Sequence, residues 1–289
     1  GESELASISM VFGAAAAGAR AMTSSSSPGI SLMQEGISYL AGAELPCVVV
    51  NVQRGGPGLG NIAGAQSDYL QAVQSGHGDM RIPVYAPGSV QEMYDLMGEA
   101  FETADRARSP VIVLADAMLG QMAEPMQRRI DEPPPPPPKP WALTGARGRP
   151  RNLLTSLYTI PDDLEAHNRE IDARYQALAT EICRAAEYRT EDADVLLVAY
   201  GVASRMCQTA CDLLRDRGYA AGLLRPITLR PFPAERVVQL AERARLVLAV
   251  EMSMGQLVQD VRLAVLGRCP VELLGRPGGN YSTAPDVVA

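Results

Sequence analysis

Histidine and aromatic residues are scarce in this chain, and an excess of positive charge is missing altogether. Only two histidines, three phenylalanines and one tryptophan occur in 289 residues, and acidic residues outnumber basic ones by 33 to 26. Without a basic stripe or an aromatic ladder, the sequence lacks the attraction that a nucleic-acid-binding surface needs. The longest uncharged stretches are broken by Gly, Ser and polar side chains, so none reads as a membrane span. No Arg-flanked apolar signal opens the chain. Five cysteines stand at 47, 183, 207, 211 and 269 with no CxxC pair, which gives neither a disulfide framework nor the four thiolates of an iron–sulfur cluster. An odd number of cysteines in a chain this long points to a reducing, cytoplasmic setting. Cys207 and Cys211 share the face of an expected helix; they read either as half a metal site or as two small buried side chains. Nucleotide-loop chemistry is missing too, because no Gly-rich run is followed by Lys-Ser/Thr and no GxGxxG opens a helix.

What is present begins with GESELASISMVFGAAAAGARAMTSSSSPG, which has no initiating methionine. A chain that opens inside a periodic segment reads as a piece of something longer, and as half of an active site that a partner chain completes. Residues 4–17 read as a small-residue helix. Ser27 is expected to cap the next helix, with Pro28 in its first turn and Ile30, Met33, Ile37 and Leu40 on its apolar face. LPCVVVNVQ (45–53), RIPVYAP (81–87) and PVIVLAD (110–116) read as strands, the first so apolar that both its faces should be covered. Ser89 and Glu92 have the spacing of a capping box. DEPPPPPPKP (131–140) reads as a stiff extended spacer, and a polar helix is expected over 161–188. Strand and helix alternate again from residue 193. The expected fold is α/β with two α/β domains: residues 1–126, then a proline-rich linker and polar helix over 127–189, then a smaller domain over 190–289.

Chemistry is concentrated in a few places. RGGPGLGN follows the strand 45–53 at its carboxyl end, where open α/β sheets place ligands. Arg54 there presents a planar guanidinium suited to a carboxylate, although a generic glycine turn has the same composition. Glu4, with Ile8 and Val11 on its side of the helix, either faces a ligand nitrogen or is a solvated carboxylate near a helix end. Thr23, Ser24, Ser25 and Ser26, with Pro28 and Gly29, form either a solvated loop or a hydroxyl-lined wall beside a ligand. His77 and Asp79, in SGHGD, sit in a glycine-flanked loop that suits an active site, although a lone histidine is more often structural.

At these residues the sequence resembles a known family. MVFGAAAAGARAMTSSSSPGISLMQEGISYLAGAELPCVVVNVQRGGPG, PVIVLADAMLGQMAEP, WALTG, RPITLRPFP and VEMSMGQLVQDVRLAV are similar to segments of the alpha subunit of 2-oxoacid:ferredoxin oxidoreductases. The likeness is greatest to the branched-chain type that acts on 3-methyl-2-oxobutanoate (2-ketoisovalerate). The resemblance implies a truncated thiamine-diphosphate pyrimidine-binding-like domain followed by a transketolase C-terminal-like domain. It implies that Glu4 hydrogen-bonds N1′ of the cofactor's aminopyrimidine, that Arg54 contacts the substrate carboxylate, and that Thr23 to Gly29 wall the pyrimidine. The family's GDG-type motif for magnesium and diphosphate is not met by GHGDM. Thiamine diphosphate would therefore be shared with a beta subunit carrying the diphosphate-binding half. Mg2+ and [4Fe-4S] clusters would lie in partner subunits, one of them ferredoxin-like, with coenzyme A as cosubstrate and an external ferredoxin as acceptor. The same likeness leaves open 2-oxoglutarate, pyruvate and aryl pyruvates as substrates, acyl transfer without ferredoxin, and a non-catalytic assembly role.

Overall fold

The computed structural model describes residues 1–128 and 135–289; residues 131–134 of the expected proline spacer lie outside them. α1 (Glu4–Ala16) leads to β1 (Met22–Ser25), α2 (Ser27–Gly42) and β2 (Cys47–Gln53). Next come α3 (Tyr69–Val73), β3 (Val84–Tyr85), α4 (Val90–Ala107), β4 (Pro110–Asp116) and α5 (Ala117–Gln121). Beyond the spacer lie α6 (Pro161–Ile182), β5 (Ala185–Tyr188), β6 (Val195–Val198), α7 (Ala203–Asp216), β7 (Ala221–Pro226) and β8 (Thr228–Arg230). α8 (Ala234–Ala241), β9 (Leu246–Glu251), α9 (Leu257–Val265), β10 (Val271–Gly275) and α10 (Ala284–Val288) complete the order.

Two five-stranded sheets result, ordered β1-β2-β4-β3-β8 and β10-β9-β6-β7-β5. Each is parallel except for one edge, where β8 runs antiparallel to β3 and β5 antiparallel to β7. β4 is buried at every residue and β2 at all but one, which is why their sequences are continuous apolar runs instead of alternating ones. α2 buries Ile30, Met33, Ile37 and Leu40, the expected stripe. α1 lies close against it, for a Cβ added at Gly36 would stand 2.6 Å from Ile8. Cys207 and Cys211 fill core space beneath α7. Among the described residues, no helix is long and apolar enough to cross a membrane.

Several local expectations shift. The polar helix stops at Ile182, and residues 185–188 form β5. AAGLLRPITLRPFP reads as one segment but splits at Ile227 into β7 and β8, which belong to different sheets. RIPVYAP supplies only two strand residues, since Pro83 and Pro87 have no N–H for a ladder. Ser89 does cap α4, accepting from Glu92 N at 3.1 Å, but the Glu92 carboxylate turns to Gly88 N at 2.8 Å and to Arg225. Ser26, not Ser27, holds the N-cap position of α2, and it makes no side-chain cap bond. Both hydroxyls have other partners, as the site shows.

Candidate functional site

The register of the first sheet sets the site. β1 and β2 run parallel with Ser25 opposite Asn51, so the end of β2 emerges beside the serine run that opens α2. Arg54, the next residue after β2, is thereby brought against it. Arg54 Nε donates to Ser26 Oγ at 3.0 Å, and its Nη1 donates to the carbonyls of Leu59 at 2.7 Å and Asn61 at 3.2 Å. Among the described residues Nη2 has no protein acceptor, which leaves that side of the fork open to a ligand.

The glycine-rich loop folds back on itself to make this possible. Gly55 N donates to Ala63 O and Asn61 N to Gly55 O, each at 3.0 Å. Gly60 has φ +56°, and a Cβ there would stand 1.7 Å from Gly55 O, so no other residue fits. Asn61 Nδ2 reaches Gly278 O at 2.8 Å, tying the loop to the second half of the chain. The loop tip exposes Leu59 and Ile62, both more than 80% accessible.

Glu4 stands on the other side of the same turn. A Cβ added at Gly29 would lie 2.0 Å from Ser25 Oγ and 2.8 Å from Glu4 Oε1, so the carboxylate rests against a backbone that a side chain would block. Glu4 is half-buried, and among the described residues its carboxylate has no hydrogen-bonding or ion-pair partner. Ser25, Ser26, Gly29, Glu4 and Arg54 therefore meet at one corner, with Pro28 in the first turn of α2. Strand alternation separates the rest of the run. Thr23 and Ser25 are half-buried, whereas Met22 and Ser24 are exposed. Ser24 lines an apolar cavity of about 1100 Å3 with Val50, Val52, Met93 and Phe101.

His77 and Asp79 are not brought to this corner. Ser38 Oγ donates to His77 O at 2.9 Å, and the His77 ring stands edge-on to Tyr39 at 6.3 Å. Ser38 is nine residues beyond Gly29 on α2, roughly 14 Å along the helix axis. Asp79 borders a cleft of about 830 Å3 beside Arg81, Arg169, Asp172 and Arg230.

Sequence reasoning missed Asn51 and Asp68, and it read Ser27 as a cap and part of the serine wall without its bonds to Asp68 and Arg54. Ser27 Oγ donates to Asp68 Oδ2 at 2.6 Å and accepts from Arg54 N at 3.2 Å. Asn51 Nδ2 also donates to Asp68 Oδ2, at 3.1 Å. Burial holds the Asp68 carboxyl above the usual carboxylate range, while Ser27, Asn51 and the Arg54 charge pull it back. The one signal available was a carboxylate just before an apolar YLQAV run, which reads as a helix cap; Asp68 makes no such bond.

No group of three or more His, Cys, Asp or Glu among the described residues is gathered closely enough to hold a metal ion. Burial pushes the Cys47 and Cys211 thiols up to about 12 and raises Cys207 as well, so all three are neutral thiols near pH 7.

Comparison with known proteins spans nearly the whole chain. The family described as pyruvate flavodoxin/ferredoxin oxidoreductase, thiamine diP-binding, matches residues 1–186, and pyruvate:ferredoxin oxidoreductase core domain II matches residues 193–287. The ketoisovalerate oxidoreductase subunit VorB of Methanothermobacter marburgensis is 52% identical over 291 residues, covering 99% of this chain and 82% of its own. The 2-oxoglutarate synthase subunit KorA of Archaeoglobus fulgidus is 39% identical over 268 residues, covering 90% and 76%. Among solved structures, a 2-oxoglutarate:ferredoxin oxidoreductase from Magnetococcus marinus superposes with a TM-score of 0.83 at 25% identity. That match covers all of this chain and 55% of the other. A split-gene transketolase, in an inactive beta4 tetramer, matches in fold alone, with a TM-score of 0.62 at 16% identity over 99% of this chain and 79% of the other.

Proposed function

The chain belongs to the pyruvate flavodoxin/ferredoxin oxidoreductase family, and from that footing we propose that it is the alpha subunit of a thiamine-diphosphate-dependent 2-oxoacid:ferredoxin oxidoreductase. Its reaction is the oxidative decarboxylation of branched-chain 2-oxoacids to acyl-CoA, with reduction of ferredoxin. The observation that carries this reading is the turn shared by Glu4 and Arg54. Gly29 lies between the acid and Ser25, and Ser26 holds the guanidinium. Support for the branched-chain preference is the 52% identity to the ketoisovalerate subunit, against 39% for the 2-oxoglutarate one.

The residues present fit the pyrimidine end of the cofactor. A half-buried, unpartnered carboxylate beside a turn kept clear by Gly29 is suited to a ring nitrogen. Bound thiamine diphosphate would supply the electron sink that decarboxylation needs. Glu4 would hold and exchange a proton at N1′, a role whose loss lowers rate more than binding. Arg54 would take the substrate carboxylate on the open side of its fork, with Ser26 and two loop carbonyls fixing its plane. One arginine recognises the group that all 2-oxoacids share, so selection of the side chain rests on other groups. GHGDM does not fit the magnesium–diphosphate end. A beta subunit would carry Mg2+ and the diphosphate half, and a ferredoxin-like subunit the [4Fe-4S] clusters, with coenzyme A as cosubstrate and external ferredoxin as acceptor. Residues 1–126 then form the pyrimidine-binding-like unit, 127–189 the connector and 190–289 the transketolase C-terminal-like unit.

The test is coenzyme-A-dependent viologen reduction by the chain assembled with its native partner subunits, across a panel of 2-oxoacids. Strongest turnover with 3-methyl-2-oxobutanoate is expected. Preference for 2-oxoglutarate or pyruvate would replace the substrate and keep the chemistry. A complex with cofactor and intact clusters that reduces nothing would overturn the oxidoreductase reading.

A further inference from the structure

Asp68 is a buried carboxylate with no part in the reaction as described. Its position at the start of α3 suggests a helix cap, yet its side chain is turned the other way, towards Ser27 and Asn51. The Ser27 hydroxyl has one proton, and geometry directs it to Asp68 at 2.6 Å in preference to Arg54 O at 3.4 Å. Its lone pairs are then free for Arg54 N, which donates at 3.2 Å. On the other side, Asp68 N donates to Gln53 Oε1 at 3.1 Å, fixing the residue that precedes Arg54. Asp68 thus reaches the backbone N–H of Arg54 through Ser27 and holds the side chain of the preceding Gln53, while Ser26, the neighbour of Ser27, holds the Arg54 guanidinium.

From this chain of contacts we propose that Asp68 is a positioning residue for Arg54, locking Ser27 and with it the turn that aims the guanidinium. That the aim is at a 2-oxoacid carboxylate rests on the function proposed above. An uncharged Asn at position 68 would fill the same space without the desolvation that burial imposes on a charge. The charge-assisted bond to Ser27 is shorter and stronger than a neutral one, and a small misplacement of a substrate-binding group lowers productive binding steeply.

The assembled complex is compared as wild type, Asp68→Asn, Ser27→Ala and Arg54→Lys. Two readouts are taken: steady-state kinetics with the 2-oxoacid, and the rate of Arg54 modification by phenylglyoxal, followed by peptide mass spectrometry without substrate. Asp68→Asn is expected to raise KM for the 2-oxoacid on the order of tenfold, to leave kcat and the coenzyme A KM nearly unchanged, and to speed Arg54 modification several-fold. Ser27→Ala cuts the same link at a small hydroxyl and should reproduce both effects, which keeps the test decisive if the Asn variant fails to assemble. The double variant should be no worse than either single one. Modification of Arg54 at the wild-type rate in both variants would overturn the positioning role, whatever KM does. Arg54→Lys with an unchanged 2-oxoacid KM would overturn the carboxylate-binding reading instead, and the modification rates would still decide whether Asp68 positions Arg54.

Discussion

Gly29 decides whether Glu4 can work. A methyl group there would press on Ser25 Oγ at 2.0 Å and on Glu4 Oε1 at 2.8 Å, and overpacking of this kind costs about 1–3 kcal/mol. The two contacts are separable. Gly29→Ala should lower both the urea midpoint of the chain and the turnover of the complex. Adding Ser25→Ala removes the shorter clash and should restore the midpoint, while turnover stays low because the carboxylate remains displaced. Recovery of both would show that Gly29 matters only for packing. Glu4→Ala is the simpler case: it should lower kcat about 100-fold or more and leave assembly with the partner subunits intact, as read by size-exclusion chromatography. An unchanged kcat would remove Glu4 from the chemistry. Of this corner, Glu4, Arg54 and the Ser-Pro-Gly turn were legible in the sequence because each is a residue type with a narrow range of uses. Asn51 and Asp68 were not, nor was the link of Ser27 to Asp68, since their value lies in bonds across 17 and 41 residues of sequence.

Elements show the same division between local and distant causes. Apolar runs bounded by Pro and Gly announced β2 and β4, and the Ser89 cap followed from spacing alone. β5 and β8 went unread as separate edges, because AAEY has no strong alternation and because nothing within TLR says which sheet it joins. α9 illustrates a terminus held by a residue outside it. Glu251, only 2% accessible, ends β9 and accepts from Gln256 N at 2.8 Å and from Leu257 N and Val258 N at 3.1 Å each, besides Ser253 Oγ. An anion at a helix N-terminus satisfies amides that would otherwise be orphaned. Glu251→Ala should therefore cost about 3 kcal/mol or more, the value of charged hydrogen bonds lost with buried donors left behind. Glu251→Gln keeps one acceptor oxygen and turns an NH2 towards the others, so a loss of smaller size is expected. Urea titration of the two variants checks the order, and a Gln variant as stable as the wild type would reduce Glu251 to a space-filling residue.

At the scale of the whole molecule, the two sheets are joined by polar contacts as well as by β8. Gln66 exchanges bonds with Met252 at 2.9 and 3.1 Å, Gln256 reaches Ser67 O at 2.6 Å, and Tyr69 donates to Asp260 Oδ2 at 2.5 Å. Asp260 is the carboxylate of that seam. Burial raises its carboxyl above the usual range, with the Tyr69 hydroxyl and the Arg230 charge opposing. The folded state therefore binds this proton more tightly than the unfolded chain, whose Asp titrates near about 3.9. Its favourable contribution is full below that value and is lost as pH rises through the higher folded one, so at pH 7 the charge weakens the seam. Asp260→Asn removes that penalty and retains an oxygen for Tyr69. Relative to wild type, the Asn variant should gain stability between about pH 4 and the folded pKa, then level off. Tyr69→Phe acts oppositely, stranding a half-buried carboxylate at a cost of about 2 kcal/mol at pH 7. In the Asp260→Asn background the same change should cost about 1 kcal/mol, that of a neutral hydrogen bond. A cycle of urea titrations at pH 4 and pH 7 measures the difference. If the Tyr69→Phe loss were the same in both backgrounds at pH 7, charge on Asp260 would add nothing to the Tyr69 hydrogen bond across the seam.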